Sequence, residues 1–361
     1  SVSIDQHTHL PDLFILRFND PGLELINGKE LDLTKEVEIS AEREDGQSVV
    51  LTKGEITAIE PNFGEGMTAE LVVRGYDKSH RLYRETKTKA YLNVKDSDLA
   101  RDLAGQVGLQ AVVDATSTVY DHIFQHNQTD LEFLRSRAWR IGYECFVEQG
   151  KLYFRKPVTS GSHFTLTWGS DLTTFRPRMS LSEQVDEVIV RGWDAEQQKP
   201  LVGRASSGKL SPKIHETRSG TVLAGPFGKG KKILVDQPVV SQAEADLMAA
   251  ARMDELSGAF LEAEGTALRR PDLRAGKVVE IQGLGTKFTG KYLITRAIHV
   301  LSPEGLKTTI SVTGSRLGIL SEQLRDPIKT QQWPGVVTAV VTNADDPKKW
   351  GRVKVKYPWM S

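Results

Sequence analysis

The chain has 361 residues, enough for two or three domains, and 39% of them are hydrophobic, as in ordinary globular cores. Lys and Arg together number 47, as do Asp and Glu, so the net charge is zero and overall charge does not favour nucleic acid or anionic membranes as partners. A single cysteine, Cys145, excludes a disulfide within the chain. We expect no signal peptide, because residues 1–10 are polar, and no apolar run approaches the ~18 residues of a membrane span.

The first part of the chain carries the signals of short antiparallel strands. Residues 13–18 predict a strand that ends at an Asn-Asp-Pro-Gly turn. Further short apolar runs follow between residues 31 and 91, separated by turn signals such as Asp45-Gly46 and the Gly-containing stretch 61–66. Because this spacing is typical of barrels and sandwiches, we predict that residues 1–91 form a first antiparallel β-barrel.

The hydrophobic period then changes from two to about four. Apolar residues between 99 and 107 recur every fourth position and predict an amphipathic helix. Thr129 and Glu132 form the capping-box pattern that begins a second helix. A hairpin over residues 143–155 follows, so we predict an α/β insert at 92–157.

Strand patterns return at Phe164 and continue to the end of the second half. One helix interrupts them, with a capping pattern at Ser241 and an end near Leu256. We therefore predict that residues 158–330 form a second β-barrel with one inserted helix.

The last residues predict two more strands joined by a turn. Residues 336–341 are apolar, residues 343–347 are rich in Asn, Asp and Pro, and residues 352–357 alternate between basic and apolar side chains. The alternation places Val353 and Val355 on an inner face. Two strands cannot bury enough apolar surface to be stable alone, so we expect this to be the start of a small barrel that is incomplete in this sequence.

Two internal similarities connect the β-rich parts. Residues 71–77 (LVVRGYD) resemble residues 188–194 (VIVRGWD). Residues 57–75 align without gaps with residues 296–314, sharing an Ala-Ile pair, a Glu-Gly turn and alternating apolar residues. We predict two similar β units in which 57–75 and 296–314 are equivalent hairpins whose turn glycines take positive φ. The alternative is that strand–turn–strand segments resemble one another by composition alone.

Two patterns that could indicate chemistry fail on inspection. Residues 225–232 nearly match a phosphate-binding loop, but Lys232 replaces the required Ser or Thr and a strand follows instead of a helix. His122 and His126 have the spacing of a helical metal pair, yet they precede the cap at Thr129 and so are not expected in a helix.

Other reactive side chains are isolated. His7 and His9 lie near a polar terminus, Cys145 has no neighbouring base, and Asp345 and Asp346 lie in a turn without an apolar pocket. We therefore predict no catalytic, cofactor-binding or metal-binding residue.

Basic residues alternate with aromatic ones at the end of the chain. Residues 348–359 combine five basic side chains with three aromatic ones, a mixture suited to single-stranded nucleic acid on an OB fold. The basic residues are Lys348, Lys349, Arg352, Lys354 and Lys356, and the aromatic residues are Trp350, Tyr357 and Trp359. The competing interpretation is a positively charged outer strand face with aromatic residues in the barrel wall, and the zero net charge favours it.

Four stretches carry a family resemblance. Residues 73–82 read V-R-G-Y-D-x-x-H-R-L, residues 125–134 read Q-x-N-x-T-D-x-x-F-L, residues 150–155 form the hairpin that follows, and residues 351–359 read G-R-V-K-V-x-Y-P-W. Together they resemble VgrG and phage late-control D proteins, the baseplate hub–spike proteins of contractile injection systems.

The resemblance implies a mainly β fold with an α/β insert, in which two related antiparallel β-barrels form a hub and residues 331–361 start an OB-fold neck. It implies a structural protein rather than an enzyme, with no cofactor. It also implies a homotrimer that joins a hexameric inner tube protein to a membrane-piercing spike. Further implied partners are baseplate proteins and a spike tip or effector cargo, with no nucleic acid and no membrane anchor.

The implied location is a phage tail-like particle or virion that is assembled in the bacterial cytoplasm and exported without a signal peptide. Two other functions remain open at this point. One is an OB-fold nucleic-acid-binding protein, and the other is a baseplate cell-wall hydrolase whose catalytic domain would lie beyond residue 361.

Overall fold

The computed structural model of the protein describes residues 1–158, 164–194, 196–210, 213–314 and 339–356. Its secondary structure is mainly β, as predicted, with a small number of helices. Among those residues, no helix is both long and apolar enough to span a membrane.

The N-terminal part forms five strands and one short helix. The elements are β1 (Val2–His7), β2 (Leu13–Asn19), α1 (Glu24–Asn27), β3 (Glu36–Glu42), β4 (Ser48–Gly64) and β5 (Thr68–Asp77). A 3₁₀ turn follows β5 at Lys78–Tyr83.

Helices and short strands alternate in the next part, as the change of period predicts. The elements are β6 (Thr86–Val94), α2 (Asp96–Gln106), β7 (Gln110–Val113), β8 (Tyr120–Thr129), α3 (Asp130–Arg140), β9 (Glu144–Glu148) and β10 (Lys151–Arg155). Strand β6 pairs with β8, while β7, β10 and β9 form a three-stranded sheet. Strand β6, which begins at Thr86, thus pairs with a strand of the predicted insert, and the division of the chain into units stays a prediction.

The third part returns to strands, with one long helix between them. The elements up to that helix are β11 (Phe164–Thr167), β12 (Leu172–Met179), β13 (Glu187–Asp194), β14 (Lys199–Ala205), β15 (Lys213–Ile214), α4 (Gly220–Ala224), β16 (Lys231–Leu234) and α5 (Gln242–Gly258). After it come β17 (Leu261–Leu268), β18 (Val278–Gln282), α6 (Gly285–Phe288), β19 (Gly290–Leu293), β20 (Arg296–Ser302) and β21 (Gly305–Val312).

Nine strands from the first and third parts form one continuous sheet. Its spatial order is β12-β17-β21-β20-β1-β2-β5-β4-β3, and every neighbouring pair is antiparallel. The two halves join where β1 pairs with β20, from Val2 opposite Leu301 to His7 opposite Arg296. The sequence predicted two separate barrels; the described strands are instead joined in one open sheet, and closure of either half into a barrel stays a prediction.

The strand order repeats within this sheet. In the first half, four strands occur in the chain order β1, β2, β4, β5 and lie side by side in the spatial order β4-β5-β2-β1. In the second half, four strands occur in the chain order β12, β17, β20, β21 and lie side by side in the spatial order β20-β21-β17-β12. Both halves therefore have the same topology, and they follow one another head to tail.

The predicted hairpin equivalence fits this repeat. Residues 57–75 lie in the β4–β5 hairpin and residues 296–314 in the β20–β21 hairpin, which occupy the same two places in the repeated order. The turn glycines Gly66 and Gly305 have φ of 71° and 111°, positive as predicted. Their pairing registers differ, however: Ala58 faces Arg74, whereas Ala297 faces Ile310, because the two turns differ in length and position.

The other predicted repeat does not hold in the structure. Residues 71–77 lie in β5 of the large sheet, whereas residues 188–194 form β13, the centre of a separate three-stranded sheet with β14 and β16. That small sheet packs on α5, so the shared R-G-aromatic-D pattern reflects similar strand composition and not an equivalent position.

Four clusters of buried side chains make up the core. One lies in the insert around Leu103, Leu134 and Phe154, and one lies between β13, β14 and α5. The other two cover one face of the nine-stranded sheet, centred on Phe14 in the first half and on Tyr292 in the second. The opposite face of the sheet is polar, as the alternating burial of strands such as β21 shows.

The C-terminal described residues form a two-stranded hairpin of β22 (Val340–Asn343) and β23 (Lys354–Lys356). Val355 is half-buried and Val353 is 52% exposed, so the predicted inner face is not buried by this hairpin alone. The linker at residues 331–334, most of the strand predicted from residue 336, and the residues from Tyr357 onward lie outside the described residues.

Candidate assembly surface

The structure gives a packing reason for the glycine in the stretch 73–82. Gly75 in β5 lies directly over the ring of Phe14, which is fully buried in the core of the first half. A Cβ atom on Gly75 would overlap both that ring and the carbonyl oxygen of Glu55 on the neighbouring strand. Gly54 faces the same ring, where an added Cβ would lie 2.9 Å from Phe14 Cε1. The two glycines therefore form a slot that admits the aromatic ring.

The aspartate of the same stretch joins the turn after β5 to the loop between β1 and β2. Asp77 Oδ1 accepts a hydrogen bond of 2.7 Å from the Ser79 amide, and its Oδ2 accepts one of 2.8 Å from the Asp12 amide. The first bond caps the 3₁₀ turn that follows β5. Burial raises the pKa of Asp77 to about 6, although these hydrogen bonds oppose the shift. Burial and the charge of Asp77 raise the pKa of Asp12 well above its usual value.

The histidine and arginine of this stretch hold a buried glutamate. His80 Nε2 lies 2.9 Å from Glu55 Oε2, and the Arg81 guanidinium donates to both carboxylate oxygens, with Nε 3.0 Å from Oε2. Burial alone would raise the pKa of Glu55, but these donors hold it below its usual value. His80 and Arg81 thus fix the turn after β5 against β4.

A buried polar network connects the insert to the third part of the chain. Asp96 and Arg137 join α2 to α3, with 2.6 Å between Arg137 Nε and Asp96 Oδ1. Glu244, in the first turn of α5, receives hydrogen bonds from the Tyr120 hydroxyl at 3.0 Å and from Arg140 Nη2 at 2.7 Å. The predicted cap Ser241 does bind the Glu244 amide, but the glutamate side chain turns to the insert instead of completing a capping box.

Several isolated reactive residues of the sequence are buried. Burial lowers the pKa of His7 to about 4 and that of His9 well below its usual value, so both are neutral near pH 7. Cys145 is a buried free thiol whose pKa burial raises to about 12, which makes it inert as a nucleophile. Its neighbour Glu144 has a pKa that burial raises to about 7, against the nearby Arg155.

The two histidines with helical metal spacing lie in strand β8, as expected from the position of the helix cap. His122 and His126 flank Phe124 on one face of the strand, and the three rings stack with centroids 6.2 Å and 5.6 Å apart. Within the described ranges, no group of three or more His, Cys, Asp or Glu side chains is placed to hold a metal ion.

The loop that resembles a phosphate-binding loop has the wrong local structure for that role. A 3₁₀ turn covers Gly225–Phe227, and the strand β16 starts at Lys231, so no helix N-terminus follows the glycines. Asp346 also has a structural use: it accepts hydrogen bonds from the amides of Lys348 and Trp350 and closes the turn between β22 and β23.

The basic and aromatic residues of the C-terminal hairpin contact one another and the body of the protein. Arg352 pairs with Asp346 at 2.9 Å, and hydrogen bonds from Arg352 hold the pKa of this carboxyl well below its usual value. Lys348 lies 3.6 Å from Asp121 of β8, and the Trp350 ring lies between Lys348 and Arg352. These cations have intramolecular partners, and Tyr357 and Trp359 lie outside the described residues.

The free surface of most interest is the pair of sheet edges. Strand β12 has β17 on one side only, and strand β3 has β4 on one side only, among the described strands. Strand β3 covers only the first half of β4, so residues 57–64 of β4 pair with β5 alone. Sequence patterns identified these strands but could not show that they form the two edges of one sheet, because the pairing of β1 with β20 is long-range.

Comparison with known proteins supports this reading of the fold. The family model described as the Alg8 N-terminal domain matches residues 22–303, which is most of the chain. None of the curated proteins matches the sequence.

Solved structures of tail proteins are similar over nearly the whole chain. A 43 kDa tail protein of prophage MuSo2 from Shewanella oneidensis has a TM-score of 0.62 and 14% identity, over 87% of this chain and 93% of that one. A tail protein from Neisseria meningitidis has a TM-score of 0.64 and 15% identity, over 87% and 91%.

A component of the E. coli type VI secretion system, described as structurally similar to the T4 bacteriophage tail proteins gp27 and gp5, has a TM-score of 0.64 and 14% identity, over 99% and 84%. At these identities the likeness concerns the fold alone. The chain therefore has the fold of phage tail and type VI secretion proteins, as the sequence resemblance implied, and it belongs to the Alg8 N-terminal domain family.

Proposed function

We propose that this chain is a structural subunit of the hub of a contractile injection machine. In this proposal three copies form a ring that joins a hexameric inner tube to a membrane-piercing spike. The fold shared with tail proteins supports the proposal, as do the four sequence stretches that resemble VgrG and late-control D proteins.

The observation that carries the proposal is the repeated strand order within one sheet. Each chain contributes two four-stranded units of the same topology, arranged head to tail. Three chains would contribute six such units, so a ring with threefold symmetry would present a nearly sixfold surface. Such a ring could meet a hexameric tube on one side and a trimeric spike on the other without a mismatch of symmetry.

The junction inside the chain suggests how copies could join. At this junction, β1 at the inner end of the first half pairs with β20 at the inner end of the second half. The outermost strands of the sheet are β12 and β3, and among the described strands neither has a partner on its outer side. A head-to-tail contact between these two edges would join the second half of one copy to the first half of the next, as the β1–β20 junction joins the two halves within a chain, and such a contact closes into a ring when the rotation allows it.

The finer elements of the proposal follow the family resemblance. Each half would complete a β-barrel in the ring, and residues 331–361 would start the OB-fold neck of the spike. Baseplate proteins and a spike tip or effector cargo would be further partners. The subunit would be assembled in the bacterial cytoplasm and leave as part of a phage tail-like particle, and its role would be structural.

Native mass spectrometry of the full-length protein tests the proposal. We expect the mass of three chains, with little monomer at micromolar concentration. A stable monomer or dimer under these conditions would contradict the proposed ring. Tight, salt-dependent binding of single-stranded DNA by that monomer would favour the nucleic-acid alternative.

A further inference from the structure

The polar face of the nine-stranded sheet is organised by ion pairs between neighbouring strands. Each pair joins a cation on one strand to a carboxylate on the next. The pairs are Arg178–Glu262 at 3.9 Å, Arg296–Asp5 at 2.6 Å, Arg17–Glu70 at 3.9 Å, Arg74–Glu60 at 2.8 Å and Lys53–Glu38 at 2.5 Å. One of them, Arg296–Asp5, crosses the junction between the two halves of the sheet.

The two edge strands carry opposite charge. Strand β12 has the sequence LTTFRPRM, in which Arg176 and Arg178 are exposed and no acidic residue occurs. Strand β3 has the sequence EVEISAE, in which Glu36, Glu38 and Glu42 are exposed and no basic residue occurs. Among the described strands, each edge strand has a neighbour on its inner side only, and its outer side carries the charge that a partner strand of opposite charge would meet.

The inner neighbours partly balance these charges. Glu262 lies near Arg178, Lys53 lies near Glu38, and Lys78 Nζ lies 2.6 Å from Glu36. Ion pairs therefore join several neighbouring strands of the sheet, and the two edge strands carry charges of opposite sign. A strand bearing carboxylates next to β12, or one bearing cations next to β3, would add another pair of this kind.

We propose that β12 of one copy lies beside β3 of the next copy, so that Arg176 and Arg178 face Glu36, Glu38 and Glu42. The partner is thus a second copy of this chain, and the inference rests on the ring assembly proposed above. The same cross-strand rule that joins neighbouring strands within the chain then joins neighbouring chains.

The charges also explain why the copies would join head to tail. Two β12 edges repel each other, as do two β3 edges, so a symmetric dimer built on either edge is disfavoured. Only the contact of β12 with β3 is attractive, and it uses different surfaces on the two copies, as a ring requires. Pro177 has no backbone N–H, so β12 has one hydrogen-bond donor fewer for pairing with any other strand. The choice of the partner strand then depends more on the charged side chains.

Charge reversal in the full-length protein tests the contact. The first variant is Arg176→Glu with Arg178→Glu, the second is Glu38→Lys with Glu42→Lys, and the third combines all four changes. The control is Arg101→Glu with Lys151→Glu, which reverses two exposed charges on the insert. Circular dichroism checks that each variant is folded, and mass photometry gives the concentration at which half of the trimer dissociates.

We expect the first and second variants to raise the concentration at which half of the trimer dissociates at least about tenfold, because each reverses two charges that attract the neighbouring chain. The combined variant should return to within about threefold of the wild type, and the control should stay there as well. Raising NaCl from about 50 to about 500 mM should weaken the wild-type trimer and strengthen the singly reversed ones.

A cross-linking measurement covers the case in which the spike alone holds three chains together. The pair Arg176→Cys and Ser40→Cys should be joined between chains by a short bismaleimide, whereas Arg101→Cys with Ser40→Cys should not be. Cys145 is buried and should not compete.

A wild-type trimer whose dissociation is unchanged by the first two variants, and whose cysteines do not cross-link, would overturn this inference and leave the proposed hub intact. A wild-type monomer would overturn both. Binding of a labelled single-stranded DNA that is lost on Arg176→Glu with Arg178→Glu, with the trimer unaffected, would reassign the basic edge to nucleic acid and also overturn the contact.

Discussion

The slot formed by Gly54 and Gly75 allows a sharp test of the fold. Replacing Gly75 with alanine adds one methyl group where the Phe14 ring and the Glu55 carbonyl oxygen already lie. The ring belongs to a fully buried side chain, and the carbonyl belongs to the adjacent strand β4, so neither can move without disturbing the core or the strand pairing. The substitution therefore acts by overpacking and not by a change in backbone preference.

The expected magnitude follows from similar core insertions. Adding a methyl to a well-packed core costs about 1–3 kcal/mol, and a clash with backbone belongs at the upper end of that range. A loss of about 3 kcal/mol corresponds to a fall in melting temperature of roughly 6–12 °C, taking 2–4 °C per kcal/mol for a domain of moderate size. The unfolding slope in urea should be unchanged, because the surface exposed on unfolding is the same.

Urea titration followed by tryptophan fluorescence, together with calorimetry, measures this loss. Gly105→Ala is a matched control, because Gly105 lies on the exposed face of α2 and an added Cβ meets no atom within 4 Å. The control should gain about 0.5–1 kcal/mol from better helix propensity. A second variant, Phe14→Leu combined with Gly75→Ala, should lose less than the sum of its two single changes, because the smaller side chain relieves the clash.

If Gly75→Ala unfolds within about 0.5 kcal/mol of the wild type, the overlap is relieved by a cheap movement and the reasoning about the slot is refuted. Additive losses in the double variant would show that Phe14 is not the group that resists the methyl.

Two further predictions concern buried charges. Arg137→Met leaves the carboxylate of Asp96 buried without its ion pair, so we expect urea titration to show a loss of about 3–5 kcal/mol in stability. The control Arg101→Met removes an exposed ion pair and should change stability by less than about 0.5 kcal/mol. Equal losses in the two variants would contradict the conclusion that the Asp96–Arg137 pair is buried. Burial lowers the pKa of His299 to about 4, so the unfolded chain binds more protons between pH 6.5 and 4, and this histidine lowers stability as pH falls through that window. Relative to the wild type, His299→Gln should therefore gain about 3 kcal/mol between pH 7 and pH 4, and the opposite contribution of Glu144 cancels in this comparison. A constant difference across this range would show that the histidine titrates equally in the folded and the unfolded protein and would refute the lowered pKa.

The local features of the fold were predictable because they depend on neighbouring residues. The capping box of Thr129 and Glu132 begins α3, with the Thr129 amide 2.9 Å from Glu132 Oε2. The hairpin of β9 and β10 turns at Gln149 and Gly150, both with positive φ. Each of these elements is specified within a dozen residues, so periodicity and turn chemistry suffice to identify it.

The arrangement of the sheet could not be obtained in this way. The contact that joins its halves includes the ion pair of Asp5 and Arg296, which are 291 residues apart in sequence. No local pattern encodes such a partner, so the sequence predicted two barrels where the described residues form one sheet. The role of the Glu244 side chain could not be predicted for the same reason, because its partners Tyr120 and Arg140 come from the insert.

Local similarity can also mislead. Gly75 and Gly192 occupy the same place in the two R-G-aromatic-D stretches, but an added Cβ would meet Phe14 at the first and Val239 at the second. The two glycines satisfy unrelated packing requirements in different sheets. The gapless similarity of residues 57–75 and 296–314 was the more informative one, because it extended over a turn and both of its strands.

The pairing of β1 with β20 sets an order of events during synthesis. Strand β1 leaves the ribosome long before β20, because the paired residues Asp5 and Arg296 are 291 residues apart in the chain. Until then, one edge of β1 is unpaired, and the first half of the protein exposes backbone that could associate with other chains. The nascent protein thus has a long vulnerable interval that ends with one late long-range contact, and premature termination before residue 296 should yield aggregation-prone fragments.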